Sequence, residues 1–349
     1  MRLEPRSDVP VALAIAAPAG AVVLALVLTA IPLVWAGVSV FDAYGLIFKG
    51  AFGSTFAITE TLSRATPLIF TGLAAAVAFR AKRWNIGGEG QLYLGALTAA
   101  AVGTGAIVLP SAAMIPLVLV LGALAGALLM LVPTLLKLRL GVDEVVTTLL
   151  LNFVVLLFVS MMIEGPMKDP MGMGWPQSSP IIDEAALPKL IPRTRVHVGL
   201  LLAILAGVAV WVFIQRTIWG FEARAVGASP AAARFAGMPV PRVMIMVGLI
   251  SGGLAGLAGV GEVAGLKGYL TRDLSPGFGY SGIVVAMLAQ LNAVGVVVAA
   301  LYVAAVFVGA DFMSRTIGVS SYLAYLIVAT SLLTMLLASL APKYRIRAR

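Results

Sequence analysis

The most constraining feature of this chain is how far it runs without a formal charge. Gly90 to Leu136 passes 47 residues with no Asp, Glu, Lys or Arg, and Leu274 to Ala310 passes 37. Six further charge-free runs are Val9–Phe41, Ala65–Phe79, Val145–Ile163, Val196–Gln215, Val243–Gly261 and Thr316–Pro342. A bilayer-crossing helix needs about 20 mainly apolar residues. The two longest runs therefore hold two crossings each, divided near Pro110 in one and near Asn292 and Gly295 in the other. The short Ala65–Phe79 run must begin earlier, near Thr61, and take in Arg64. The count is about ten transmembrane helices. Barrel strands of about 10 residues would be separated by turn signals throughout, and these runs are too continuous for that. The first run also exceeds a signal-peptide core of about 7–15 apolar residues.

Composition agrees. Hydrophobic residues make up 61% of the chain and charged residues 11%, against about 25% charged in a soluble domain. The fold class is an all-α integral membrane protein. There is no cysteine and a single histidine, His197. Disulfides, a thiolate nucleophile and a Cys- or His-based metal cluster are excluded. No catalytic residues, metal site or cofactor are expected.

The net charge of +9 would point a soluble chain toward nucleic acid. Here its placement reports orientation instead. With the N-terminus inside, ten crossings put Arg2 and Arg6, then Arg80, Lys82 and Arg83, then Lys137 and Arg139, then the 216–242 loop and finally Lys343 to Arg349 on one side. Cations collect on the cytoplasmic side, so both termini are expected there. Ten spans divide into two halves of five, which an odd number makes inverted relative to each other, as in many transporters. The whole chain, 1–349, reads as a single transmembrane domain. The Pro-rich stretch from Glu164 to Arg195 falls outside, as a functional loop or a solvated cap.

Three segments carry more specific information. In Arg80–Gln91, cations, Trp84 and three glycines lie between two spans. Glu89 enters an apolar run, where a carboxylate is a functional candidate; it either caps the next helix or meets substrate. In 216–242, Ser229 reads as a helix N-cap, Pro230 as the first helical residue and Gly237 as the stop. This predicts a short cytoplasmic helix suited to docking a partner. In Gly277–Gly295, a Gly-rich entry, a short apolar stretch and an Asn–Gly break indicate either a broken helix on a transport path or a tight turn. Glu262 ends an apolar run and reads as a boundary or substrate-greeting residue.

These segments resemble one family. Asn85-Ile-Gly-Gly-Glu-Gly-Gln91 resembles the N-I-G-x-E-G-Q signature of permease subunits of bacterial ABC importers for nucleosides, within the wider ribose and branched-chain amino acid permease superfamily. Gly141–Asn152 resembles their G-x-x-E-V-x-x-T-x-x-L-N, Ala223–Gly237 their R-A-V-G-x-N-P coupling loop, and Gly279–Leu288 their G-x-x-G-I-x-V-A-x-L. Two departures are Ser229 in place of Asn, which still caps a helix, and Ala289-Gln290 where relatives often carry Gly. The resemblance implies a multi-pass subunit of the bacterial inner membrane that moves nucleosides, or related simple sugars, by alternating access. It implies three protein partners: an ATPase, a second permease subunit and an extracytoplasmic substrate-binding protein. Nucleic acid is not among the partners. Glu222, Arg224, Gly227, Ser229, Pro230, Arg234 and Gly237 would couple to the ATPase, with both arginines meeting acidic groups on it. Asn85, Glu89, Gln91, Asn152, Gln290 and Asn292 would belong to the substrate pathway, although buried amides also simply join helices.

The residues agree on one point: the chain has no G-x-x-x-x-G-K-[S/T] motif, so ATP phosphates need another subunit. The alternative is a secondary transporter driven by an ion gradient. That would place carboxylates deep in the spans, whereas here they stand mostly at run ends.

Overall fold

The computed structural model describes residues 2–5, 11–35, 37–105, 107–338 and 344–347. Val9 and Pro342, at the ends of the outermost predicted runs, and the cations Arg6, Lys343 and Arg349 lie outside the described residues. The chain forms two compact units, one of residues 1–61 with 301–349 and one of residues 62–300.

All ten predicted crossings carry a helix: α1 (Val11–Trp35), α3 (Thr55–Arg80), α4 (Gly88–Gly103), α5 (Ser111–Leu140), α6 (Glu144–Glu164), α7 (Gly199–Arg216), α10 (Val240–Val260), α11 (Phe278–Leu288), α12 (Ala293–Ile317) and α13 (Leu323–Ala338). Three further helices are α2 (Val40–Phe52), α8 (Ile218–Ala228) and α9 (Pro230–Phe235). A π-helical turn, Gly261–Lys267, extends α10. The described residues also include a short 3-10 turn, Asp183–Ala185, and a ribbon of β1 (Arg2–Pro5) and β2 (Tyr344–Arg347), antiparallel with Arg2 opposite Arg347.

Among the described residues, six helices are long and apolar enough to cross a bilayer, or seven if the bent pair α1 and α2 is one span. Two of the helices outside that count are short. With 16 residues in α4 and 11 in α11, these helices reach about 24 Å and 16 Å at 1.5 Å per residue. The hydrocarbon core is about 30 Å thick.

In the unit formed by the chain ends, α1 buries Ala21, Ala25, Thr29 and Leu33, a four-residue spacing that lines one helix face. Thr334 of α13 donates to the Ala21 carbonyl at 2.8 Å. Val23, Val27, Ile31 and Val34 on the opposite side are exposed, as befits a lipid-facing surface.

In the unit formed by residues 62–300, α4, α5 and α10 pack through glycine. A Cβ on Gly126 would stand 2.9 Å from the Gly256 Cα, and one on Gly95 would stand 2.7 Å from the same atom. Gly122 and Gly126 on α5 face Gly252 and Gly256 on α10, a small-xxx-small pattern on both helices. Lipid tails are as apolar as leucine, so helices in a membrane associate through such close contact rather than through hydrophobic burial.

The stretch from Glu164 to Arg195 is folded rather than structureless. Ile182 N donates to the Gly103 carbonyl at 2.8 Å and Leu187 N to the Ala264 carbonyl at 2.7 Å, so it lies over the ends of α4 and α10. Glu262 is buried within the π-helical turn.

Candidate functional site

The connector of residues 81–87 lies against α6 rather than stopping at its N-terminus. It climbs along α6: Ile86 N donates to Thr148 Oγ1 at 3.3 Å, and Gly90 N donates to Asn152 Oδ1 at 2.8 Å. Asn152 is eight residues beyond Glu144, so α4 begins about 12 Å along α6 from its N-terminus. An irregular backbone at that depth needs protein around it to satisfy its polar groups.

The amides predicted from sequence supply those partners. Asn85 and Gln91 pair reciprocally: Asn85 Nδ2 donates to Gln91 Oε1 at 2.8 Å, and Gln91 Nε2 returns a bond to Asn85 Oδ1 at 2.9 Å. Asn85 also donates to Ser251 on α10 at 2.9 Å and accepts from Gly87 N at 3.0 Å. Asn152 Nδ2 donates to the Ile86 carbonyl at 3.0 Å and to the Tyr280 hydroxyl at 3.1 Å. All three amide side chains are buried. Through them the N-terminal end of α4 is tied to α6, α10 and α11.

Glu89 caps a helix, but a distant one rather than its own. Its Oε2 accepts from Gly279 N at 2.7 Å, with further bonds to the Gly277 backbone and the Ser275 side chain. The start of α11 thus meets the start of α4, and a Cβ on Gly88 would stand 3.5 Å from the Gly279 Cα. Two positive helix ends converge on one buried carboxylate, where a negative charge is favoured.

Gln290 and Asn292 lie elsewhere. Both are exposed in the turn between α11 and α12, at the far end of α11 from Glu89. Asn292 Oδ1 accepts from Val294 N at 2.9 Å and so caps α12.

A buried ion pair missed in the sequence sits below this network. Arg83 bonds Glu144 and also donates to Thr134 at 3.2 Å, while Trp84 N donates to Glu144 Oε1 at 2.8 Å. Burial lowers the Arg83 guanidinium from its ordinary value and Glu144 opposes that shift. Arg83 stood in the sequence only as one of three orientation-marking cations.

The 216–242 loop contains the predicted short helix, α9, and a second one, α8, before it. Ser229 Oγ accepts from Ala232 N at 3.3 Å, Pro230 opens α9, and Gly237 follows it with φ +81°. Arg234 is exposed, and Phe235 beside it is 96% exposed. Glu222 is half-buried on α8. Arg224 turns inward, donating to the Ile214 carbonyl and to Gln215 Oε1, which satisfies the C-terminus of α7. Gly227 is buried against the backbone of Arg80 and Ala81 with no room for a Cβ.

Residues 57–338 match the family model described as the branched-chain amino acid transport system / permease component. The chain belongs to this permease family. Relatives of the permease include the glucose ABC transporter permease protein TsgB13 of Haloferax volcanii, 38% identical over 99% of this chain and 93% of that one. The guanosine ABC transporter permease protein NupP of Bacillus subtilis is 36% identical over 90% and 91% of the two chains. The nucleoside ABC transporter permease protein NupB of Lactococcus lactis subsp. cremoris is 32% identical over 85% and 84%. The permease is thus a multi-pass membrane subunit of an ABC transporter, with a transport rather than an enzymatic role.

Proposed function

We propose that this permease imports nucleosides, with related simple sugars as the neighbouring substrate class, across a bacterial inner membrane. Both termini face the cytoplasm. An ATPase docks on the 216–242 loop, a second permease subunit completes the pathway, and an extracytoplasmic binding protein delivers the solute. The observation that carries this reading is near end-to-end similarity to permeases named for guanosine and for nucleosides.

The chemistry of the network around α4 supports a neutral polar solute. Its titratable groups already have partners, Glu89 in backbone donors of α11 and Arg83 in Glu144, and its remaining side chains are amides and hydroxyls. Asn85, Glu89, Gln91 and Asn152 shape the pathway by fixing where α4 and α11 begin, and Gln290 and Asn292 stand at its cytoplasmic end. On the cytoplasmic face, α9 offers the ATPase a fully exposed aromatic with Arg234 beside it. Nucleotide-driven closure of the ATPase pair would move this loop and tilt the attached spans.

The test is uptake of labelled nucleosides, ribose and glucose by cells with and without the chain, with and without ATP depletion. Loss of ATP-dependent nucleoside uptake alone is the expected result. Loss of a sugar alone changes the substrate class. Uptake that survives ATP depletion but collapses with the proton gradient replaces the reading with a secondary transporter.

A further inference from the structure

Helix α11 is gripped at both ends by side chains from one short stretch of chain. At its N-terminus, Gly279 N donates to Glu89 Oε2 at 2.7 Å. Beyond its C-terminus, Arg80 Nε donates to the Leu291 carbonyl at 2.9 Å. The turn that Arg80 holds contains two successive non-glycine residues in the left-handed region, Gln290 at φ +50° and Leu291 at φ +60°. Such conformations persist only where surrounding structure imposes them.

Arg80 and Glu89 flank the 81–87 connector, and that connector rests on α8. Gly227 lies against the Arg80 carbonyl so closely that a Cβ would also stand 3.0 Å from the Ala81 Cα. Lys82 Nζ donates to the Ala228 carbonyl at 3.5 Å. Side-chain or backbone contacts therefore join α8 to the connector and the connector to both ends of α11.

We propose that Arg80 and Glu89 are positioning residues forming a two-point clamp, through which movement of the 216–242 loop carries α11 as a rigid piece. The transmission half rests on the ABC reading above; the clamp half does not. Neither residue needs to touch the solute. The clamp makes α11 follow α8 rather than drift with the membrane.

The chain contains no cysteine, so one introduced thiol reports without background. A spin label at Met287→Cys on α11, with Leu124→Cys on α5 as reference, is read in proteoliposomes. Arg80→Ala and Glu89→Leu are expected to raise mobility at 287 and leave 124 unchanged. Arg80→Gln and Glu89→Gln, which retain a neutral donor and acceptor, are expected to restore the parent spectrum. With the ATPase bound, an ATP-dependent spectral change at 287 is expected in the parent. It should be lost in Arg80→Ala while ATP hydrolysis persists, and regained in Arg80→Gln. Unchanged mobility at 287 in both Arg80→Ala and Glu89→Leu overturns the clamp. An ATP response that survives Arg80→Ala overturns the transmission. A parent complex that hydrolyses ATP with no spectral change at 287 overturns the transmission and leaves the ABC reading standing, and the mobility comparison still decides the clamp.

Discussion

Neutralising Glu144 alone should destabilise the protein far more than removing Glu144 and Arg83 together. The two side chains are 4% and 1% exposed, and Arg83 also donates to the Thr134 side chain. In Glu144→Gln the amide oxygen still accepts from Trp84 N, so the backbone bond survives and the change isolates the charge. Breaking a buried pair from one side costs about 3–5 kcal/mol, because an uncompensated charge stays in a low-dielectric site. Replacing both members with apolar or neutral groups of similar size is often close to neutral. Glu144→Gln and Arg83→Met should each therefore cost about 3–5 kcal/mol, and the double variant roughly 0–2 kcal/mol. On those values a double-mutant cycle should return a coupling of at least about 4 kcal/mol. The assay is reversible unfolding in mixed detergent micelles, followed by far-UV circular dichroism. Single variants within about 1 kcal/mol of the parent, or additive effects in the double variant, would refute the reasoning. Either result would mean that water reaches the pair and screens it.

Other expectations are checked with the same equipment or with transport. Gly126→Ala should cost about 1–3 kcal/mol by overpacking against α10, whereas Gly253→Ala, whose nearest new contact would be at 3.4 Å, should be near neutral; equal effects would contradict the glycine interface. Asn152→Leu orphans the Gly90 donor and the Ile86 acceptor, and should cost roughly 2–4 kcal/mol at about 1–2 kcal/mol per buried group, measured by the same unfolding. His197 is pushed down to about 4 by burial first and Lys189 second. With its folded value below the ordinary 6.5, stability should be complete above about pH 6.5 and fall as pH drops from there toward 4, by up to about 3 kcal/mol. His197→Gln should flatten that slope, and an unchanged slope would show that other groups cause it. Phe235→Ala should leave folding intact and reduce ATP-dependent uptake about tenfold or more if α9 is the docking element, on the scale of an aromatic anchor worth 2 kcal/mol or more; full uptake would remove Phe235 from that role.

Much of this architecture was legible in the residues. The run from Val145 to Ile163 matches α6, and the Ser229-Pro230 to Gly237 pattern matches α9 and its flanks, because both depend on local rules of hydropathy and capping. The amide cluster was legible only as composition. Asn85, Gln91 and Asn152 were assigned to the substrate pathway as uncharged amides of the resembling segments, yet Gln290 and Asn292, assigned with them, stand at the opposite end of α11. The glycine interface left a readable trace, with Gly122 and Gly126, and Gly252 and Gly256, each four apart. That spacing places them on one helix face, although it does not name the facing helix. Arg224 was marked for docking by its charge and its place in the loop; its bonds to Ile214 and Gln215 depend on where α7 ends beside α8.

By itself, the amino-acid order determined that this chain lives in a membrane, where its apolar runs form helices and how the short loop helix starts and stops. These follow from one-dimensional quantities: charge spacing against bilayer thickness, and side chains that cap neighbours a few residues away. Only the tertiary structure decided what Glu89 does. Its hydrogen-bond partner is 190 residues distant, and no local rule separates a carboxylate that caps its own helix from one that caps another. The same holds for α4 starting deep along α6. A helix can begin there only because Asn152 and Thr148 are already in place to satisfy its backbone, and that condition exists only once the helices have packed.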